Sequence, residues 1–198
     1  MASDAPAAGP GVPPPTVLVL ASGRGARFLA AGGASHKLRA PLAGTPVLER
    51  TLAAVRASGL PWHLEDRGHP GMGLSIAAAV AATRGAAGWL VLPGDLPLVL
   101  PATLRAVAAA LGGQGCGAAV PLHGGRQGHP VGFAAEAGAA LAALAGDRGA
   151  APVLQALRAA GRVRWIAVDD PGIAHDIDTP DDLRRAEAFL AGRDAGPG

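Results

Sequence analysis

The apolar, β-favouring run Thr16 to Leu20 breaks at once into small residues, two glycines and two arginines in ASGRGARF. With no polar face, TVLVL reads as a strand buried in a covered sheet rather than one lying half in water. Gly23 and Gly25 end it, and glycine tolerates the dihedrals that let successive N–H groups close around an anion. Arg24 and Arg27 add positive charge beside them. Open α/β sheets hold ligands at this carboxyl end of their strands. Two common phosphate loops are excluded. Phe28 stands where the dinucleotide fingerprint needs its third glycine, and Lys37 sits in SHKL, outside any Gly-Lys-Ser/Thr string. By itself a glycine turn after a strand is also compatible with an ordinary turn.

The remaining chain alternates strand and helix. Thr45 reads as a helix cap with Pro46 first, Leu48, Leu52 and Val55 on one face, and Gly59 as the stop. A short strand is expected near Trp62 to Glu65, then an alanine-rich helix opened by Gly73 or Ser75. Trp89 to Pro93 reads as the next buried strand, Pro101 to Leu111 as a helix, and Gly117 to Leu122 and Val131 to Phe133 as strands. Helices near Glu136 to Ala145 and Pro152 to Ala160 precede a strand from Val163 to Val168. The last helix takes Thr179 as cap, Pro180 first and Asp182 as an acidic capping-box partner, with Leu183, Ala186 and Leu190 as its inner stripe. This pattern predicts an α/β fold: a doubly wound, mostly parallel sheet with helices on both faces.

At 198 residues the chain matches one such domain, from about residue 16 to 192. Residues 1–15, rich in Pro, Ala and Gly, read as a disordered tail without the features of a secretory signal, and 193–198 as a flexible one. The formal charge of +2 is spread along the chain with no basic run and no interleaved aromatics, which argues against a nucleic-acid partner. No apolar stretch is long enough to span a bilayer. The lone Cys116 cannot form a disulfide within the chain and reads as a small buried thiol, in keeping with a reducing cytoplasm. Trp62, Trp89 and Trp165 are expected to pack in the core.

Six segments in series, LASGRGARF with Lys37, PLAGTPVLERTL, GMGLSIAAAV, LVLPGDLPLV, VPLHGGRQGHPVGF and DIDTPDDL, resemble the molybdenum-cofactor cytidylyltransferases and their wider nucleotidyltransferase superfamily. The resemblance implies a Rossmann-like nucleotidyltransferase fold and transfer of a nucleoside monophosphate, CMP from CTP in this branch, to the phosphate of molybdopterin-type molybdenum cofactor. It implies Mg²⁺ held by Asp95 and Asp178, and triphosphate contacts from Arg27 and Lys37. Nucleotide contacts would come from Leu20, Ala21, Ser22, Gly23, Arg24 and Gly25, and from Gly71, Gly73 and Ser75 of the GMGLS string. His129 of GHP would face the acceptor. A molybdoenzyme or its accessory protein is the partner such an enzyme would serve. Chemically the set is coherent, because joining two phosphate-bearing partners is a problem of neutralising charge, which a hard divalent ion and fixed cations solve.

Each residue has a plainer reading as well: Asp95 in GDLP as the brace of its own turn, Asp176 and Asp178 as a negative helix start. Of those two aspartates, one carboxylate is expected to face the site and the other to face away. Three departures from the family pattern stand out. Ser22 replaces the alanine of the cytidylyl branch and the glycine of the guanylyl branch, so its hydroxyl either meets the base or caps the turn. LAAGGASH lengthens the loop before Lys37, which is expected to be held loosely until nucleotide binds. Ser58 to Pro70 is much shorter than in relatives, as if one strand-helix unit were missing. Two other activities remain compatible with these residues: nucleotidyl transfer to a sugar, polyol or other small phosphate, and a non-catalytic carrier or chaperone for molybdenum cofactor.

Overall fold

The computed structural model describes residues 13–22, 26–33 and 36–194. In chain order the elements are β1 (Thr16–Leu20), α1 (Ala26–Ala30), a 3-10 turn (Lys37–Arg39), β2 (Pro41–Leu42), β3 (Thr45–Pro46), α2 (Val47–Ser58), β4 (Trp62–Glu65), α3 (Met72–Ala82), β5 (Gly88–Pro93) and α4 (Pro101–Leu111). There follow β6 (Ala118–His123), β7 (Arg126–Gln127), β8 (Val131–Ala134), α5 (Gly138–Ala142), α6 (Ala151–Ala159), β9 (Val163–Ala167) and α7 (Pro180–Asp194).

Seven of the strands form one sheet in the order β4-β1-β5-β8-β6, with β9 and β7 also paired to β6. β4, β1 and β5 are parallel, as are β6 and β9, whereas β8 runs against both β5 and β6. β6 carries β9 along one edge; β8 and β7 share the other, pairing at Ala118 and Ala119 and at Leu122 and His123 respectively. The sheet is the doubly wound one expected, and its alternation explains why. Val17 and Val19 of β1 pack with Leu52 and Val55 of α2 and Leu104 and Val107 of α4. Leu18 points the other way, into Ile76 and Val80 of α3, Leu141 of α5 and Val153 of α6. Both faces of the strand are therefore dry, which is what an unbroken apolar run requires. Each such side chain contributes ~1.5–3 kcal/mol when taken from water.

A third cluster, Phe28, Leu38, Leu42, Val47, Ile177 and Ala186, caps the carboxyl end of the sheet and seats α7 there. The expected capping box is present: Thr179 N–H donates to Asp182 Oδ2 at 2.7 Å, and Asp182 N–H to Thr179 Oγ1 at 3.2 Å. Thr45 does not cap α2, which begins one residue later than expected, at Val47. The β2-β3 hairpin claims it, pairing Thr45 with Leu42 across Ala43 and Gly44, both at positive φ. Gly59 ends α2 at φ 73° as expected. Only Trp89 is a core tryptophan; Trp62 and Trp165 lie on edge strands, 41% and 39% exposed, each beneath an arginine. Among the described residues no helix is long and apolar enough to cross a membrane.

Candidate active site

Asp95 follows β5 by way of Gly94, where a Cβ would come within 3.1 Å of the Leu20 carbonyl and 3.0 Å of Leu48 Cδ1. The Gly94 amide donates to that Leu20 carbonyl at 2.9 Å, and Thr51 of α2 donates its hydroxyl to the Gly94 carbonyl at 3.0 Å. Neighbouring elements thus fix Asp95, and its side chain does not brace its own turn. The Asp95 carbonyl in turn accepts the Ile177 N–H at 3.0 Å, which draws the 176–178 segment alongside. Asp170, 1% exposed, anchors that segment from upstream. Its carboxylate accepts from the Leu100 and Gly172 amides and the Thr103 hydroxyl at 2.8, 2.9 and 2.6 Å, so one buried side chain caps the start of α4 and orders the turn leading to Asp176.

The ammonium of Lys37 lies 2.6 Å from Asp95 Oδ2 and 2.6 Å from Asp178 Oδ1. Burial alone would lower the lysine pKa, but Asp95 and Asp178 outweigh it and hold the group above its ordinary range. Lys37 is therefore gripped, in contrast to the loose attachment expected of it. Asp95 Oδ1 is buried and has no hydrogen-bond partner among the described residues. Among the described residues no three or more His, Cys, Asp or Glu side chains are arranged to hold a metal; the carboxylate pair converges on an ammonium instead.

A cavity of about 610 Å³ opens from this cluster and is lined by Lys37, Asp95, His129, Asp176 and Asp178. The expected division of Asp176 and Asp178 is overturned, since both face the cavity. Residues two apart on extended chain share a side, and it is the intervening Ile177, 1% exposed, that turns into the core. His129 is held by its N–H, which donates to the Ile173 carbonyl at 2.8 Å, and the His129–Pro130 peptide is cis. Burial lowers the imidazole pKa, with the Val91 backbone, Asp95 and Asp176 opposing it, so His129 is a neutral donor and acceptor at pH 7.

The other expected contacts that are described, Leu20, Ala21, Ser22, Gly71, Gly73 and Ser75, do not line this cavity. Gly23, Arg24 and Gly25 are outside the described residues, and Arg27 belongs to α1 but its side chain is outside them. Leu20 closes β1, and the Ala21 amide and Ser22 hydroxyl both donate to the Glu65 carbonyl at the end of β4, at 2.8 and 3.1 Å. The Ser22 hydroxyl thus ties the turn to the neighbouring strand. Gly71 and Gly73 are explained by packing. A Cβ would lie 2.5 Å from the Gly146 carbonyl at the first and 2.6 Å from the Ala145 carbonyl at the second. Ser75 donates its hydroxyl back to the Gly71 carbonyl at 3.3 Å, within its own helix start.

Arg126, Gln127 and Arg148, for which no role was expected, also line the cavity. A signal existed for two of them: Arg126 stands three residues before His129, and Arg148 lies in GDRGA just ahead of a proline-started helix.

The profile of the family described as MobA-like NTP transferase domain matches residues 53–163. No curated protein sequence matches the chain. Among solved structures, Rv0371c from Mycobacterium tuberculosis H37Rv is 27% identical with a TM-score of 0.72 over 90% of this chain and 99% of its own. Rv0371c also has a crystal structure in complex with manganese. Mth528, a nucleotidyl transferase from Methanothermobacter, is 24% identical with a TM-score of 0.71, covering 89% of this chain and 98% of that one. The molybdopterin-guanine dinucleotide biosynthesis protein A of Archaeoglobus fulgidus is 21% identical, TM-score 0.59, over 89% and 99%. These last two show the fold.

Proposed function

Because the chain belongs to the MobA-like NTP transferase domain family, we propose that it transfers CMP from CTP to the phosphate of molybdopterin-type molybdenum cofactor, with Mg²⁺ as its metal ion and a molybdoenzyme or accessory protein as recipient. The observation that carries this reading is the convergence of Asp95 and Asp178 on one cation position at the carboxyl end of β5. The donor set fits a divalent ion: two carboxylates offer hard oxygens, and Asp95 Oδ1 is buried without a partner among the described residues. Manganese in the 27% identical Rv0371c supports a divalent ion as well. Asp95 and Asp178 would hold it. When bound, such an ion neutralises phosphate charge and stabilises departing pyrophosphate.

This chain's own residues do the rest by position and charge. The turn after β1, tied to Glu65 through Ala21 and Ser22, receives the nucleotide. Lys37 exchanges its carboxylate partners for triphosphate oxygens. An oxygen of the acceptor phosphate attacks the α-phosphorus, a new P–O bond forms and the bond to the β-phosphate oxygen breaks, so pyrophosphate leaves with the electron pair. The attacking oxygen is already anionic and needs no general base. Neutral His129, its one ring N–H engaged by the Val91 backbone, lines the acceptor side without adding charge.

Pyrophosphate release, measured with CTP, GTP, UTP and ATP in the presence and absence of molybdopterin and Mg²⁺, tests the reading. Release is expected with CTP foremost and only when acceptor and metal are both present. Cofactor binding without pyrophosphate release from any nucleotide would replace it with a carrier role, and release driven by sugar or polyol phosphates would change the acceptor.

A further inference from the structure

Resting on the transferase reading, we propose that the cavity is the acceptor pocket and that Arg126 and Arg148 determine which phosphomonoester enters: one with a flat aromatic ring whose far edge carries hydrogen-bond acceptors. The turn that would hold the nucleotide supplies none of this lining through its described residues Leu20, Ala21 and Ser22, whereas Lys37, Asp95 and Asp178 do line it. The cavity is thus the other side of the reacting cluster, where the second substrate must lie.

Its walls are chemically uneven. Val120, Val131, Phe133 and Leu154 supply an apolar interior, and Met72, 48% exposed, puts a polarisable thioether at the start of α3. The two arginines come from separate segments. Among the described residues neither guanidinium has a carboxylate partner; Arg148 makes one 3.4 Å contact, to Gln155 Oε1. Planar guanidinium groups stack on flat rings and pair with their acceptor edges, which an aliphatic sugar phosphate does not offer.

Both arginines are carried by locked backbone. Arg126 pairs with His123 across a two-residue turn whose glycines, Gly124 and Gly125, have φ of 55° and 78°, as a type I′ hairpin requires. Arg148 lies in a loop fastened to the start of α3: the Gly73 amide donates to the Gly146 carbonyl at 2.8 Å, and a Cβ on Gly71 would strike that same carbonyl. The glycines of GMG therefore serve to seat the Arg148 loop beside Met72, and Gly149 follows at φ 54°.

The probes are 6-hydroxymethylpterin phosphate, the same pterin without phosphate, and glycerol 3-phosphate, with binding to the full chain followed by pterin fluorescence or calorimetry. The phosphorylated pterin is expected to bind most tightly, and R126Q and R148Q each to weaken it about tenfold, the usual cost of a lost charged contact. The thermal shift given by CTP with Mg²⁺ should be unchanged in both variants. Equal binding of glycerol 3-phosphate, no pterin phosphate binding, or indifference to both substitutions would overturn the proposal while leaving the CTP shift, and with it the transferase reading, intact. A wild-type protein that gives no shift with any nucleoside triphosphate would remove the transferase reading itself.

Discussion

Asp95 and Asp178 are close enough to share one ammonium, and that proximity makes their roles inseparable. Two carboxylates facing a common point repel each other unless a cation stands between them, whether Lys37 or a divalent ion. Asp95→Asn should therefore lower kcat for pyrophosphate release by at least ~100-fold, because charge stabilisation worth several kcal/mol is lost and each ~1.4 kcal/mol is tenfold. Asp178→Asn should be milder, since Asp178 is the more exposed of the pair, 27% against 14%. The double variant should be little worse than Asp95→Asn, as for groups that act as a unit. Steady-state kinetics, with circular dichroism to verify folding, check this. Near-normal turnover in Asp95→Asn, or losses that multiply fully, would remove the shared-cation mechanism.

At the scale of elements, the end of edge strand β4 supports the turn after β1, and Glu65 carries both halves of the contact. Its carbonyl accepts from Ala21 and Ser22, while its buried carboxylate accepts from Arg67 at 3.1 and 3.0 Å and contacts His63 and His69. The Arg67 hydrogen bonds, outweighing burial, hold its pKa at about 2 against an ordinary 4.5. A lowered folded-state pKa stabilises the fold above the unfolded value, and the gain is lost as pH falls from about 4.5 towards 2. Because the Arg67 side chain is 64% exposed, the contribution at neutral pH is set at ~1–2 kcal/mol rather than the full shift. Urea denaturation of Glu65→Gln should show that loss at pH 7 and a shallower fall in stability across the acid range; a slope equal to wild type would show that Glu65 does not govern it. This support was legible only in part. The strand Trp62 to Glu65 could be read from its pattern, and Asp95 from its place after an apolar run. The burial of Glu65, the antiparallel β8 and the loop that seats Arg148 depend on contacts between distant segments, such as Gly73 with Gly146, which no local periodicity encodes. The Asp176 and Asp178 pair was misjudged locally, where period-two alternation alone places them together.

Across the whole molecule, the parallel strands deliver their carboxyl ends to one crevice. Lys37, Asp95 and Asp178 line the cavity there, and the described residues of the turn after β1, Ala21 and Ser22, stand outside that lining. On the proposed reading, that arrangement would couple nucleotide and metal. While Lys37 holds both carboxylates, a divalent ion must displace an ammonium already paired at 2.6 Å to each; once a triphosphate draws the lysine away, the same carboxylates need a replacement cation. Linkage makes the effect reciprocal, so each ligand strengthens the other. A ligand at ~100 times its dissociation constant adds ~2.7 kcal/mol, or roughly 5–11 °C in Tm for a chain of this size. Mg²⁺ alone should therefore shift Tm little, CTP alone modestly, and the two together by more than the sum. Lys37→Met should reverse the pattern: destabilised without metal because Asp95 and Asp178 lose the ammonium between them, it should respond to Mg²⁺ alone, and the excess over additivity should shrink. Differential scanning fluorimetry across a Mg²⁺ and CTP matrix, repeated after chelation by EDTA, measures all four states. Strictly additive shifts in the wild type, or a Lys37→Met protein as indifferent to Mg²⁺ as the parent, would mean that the lysine does not stand in for the metal.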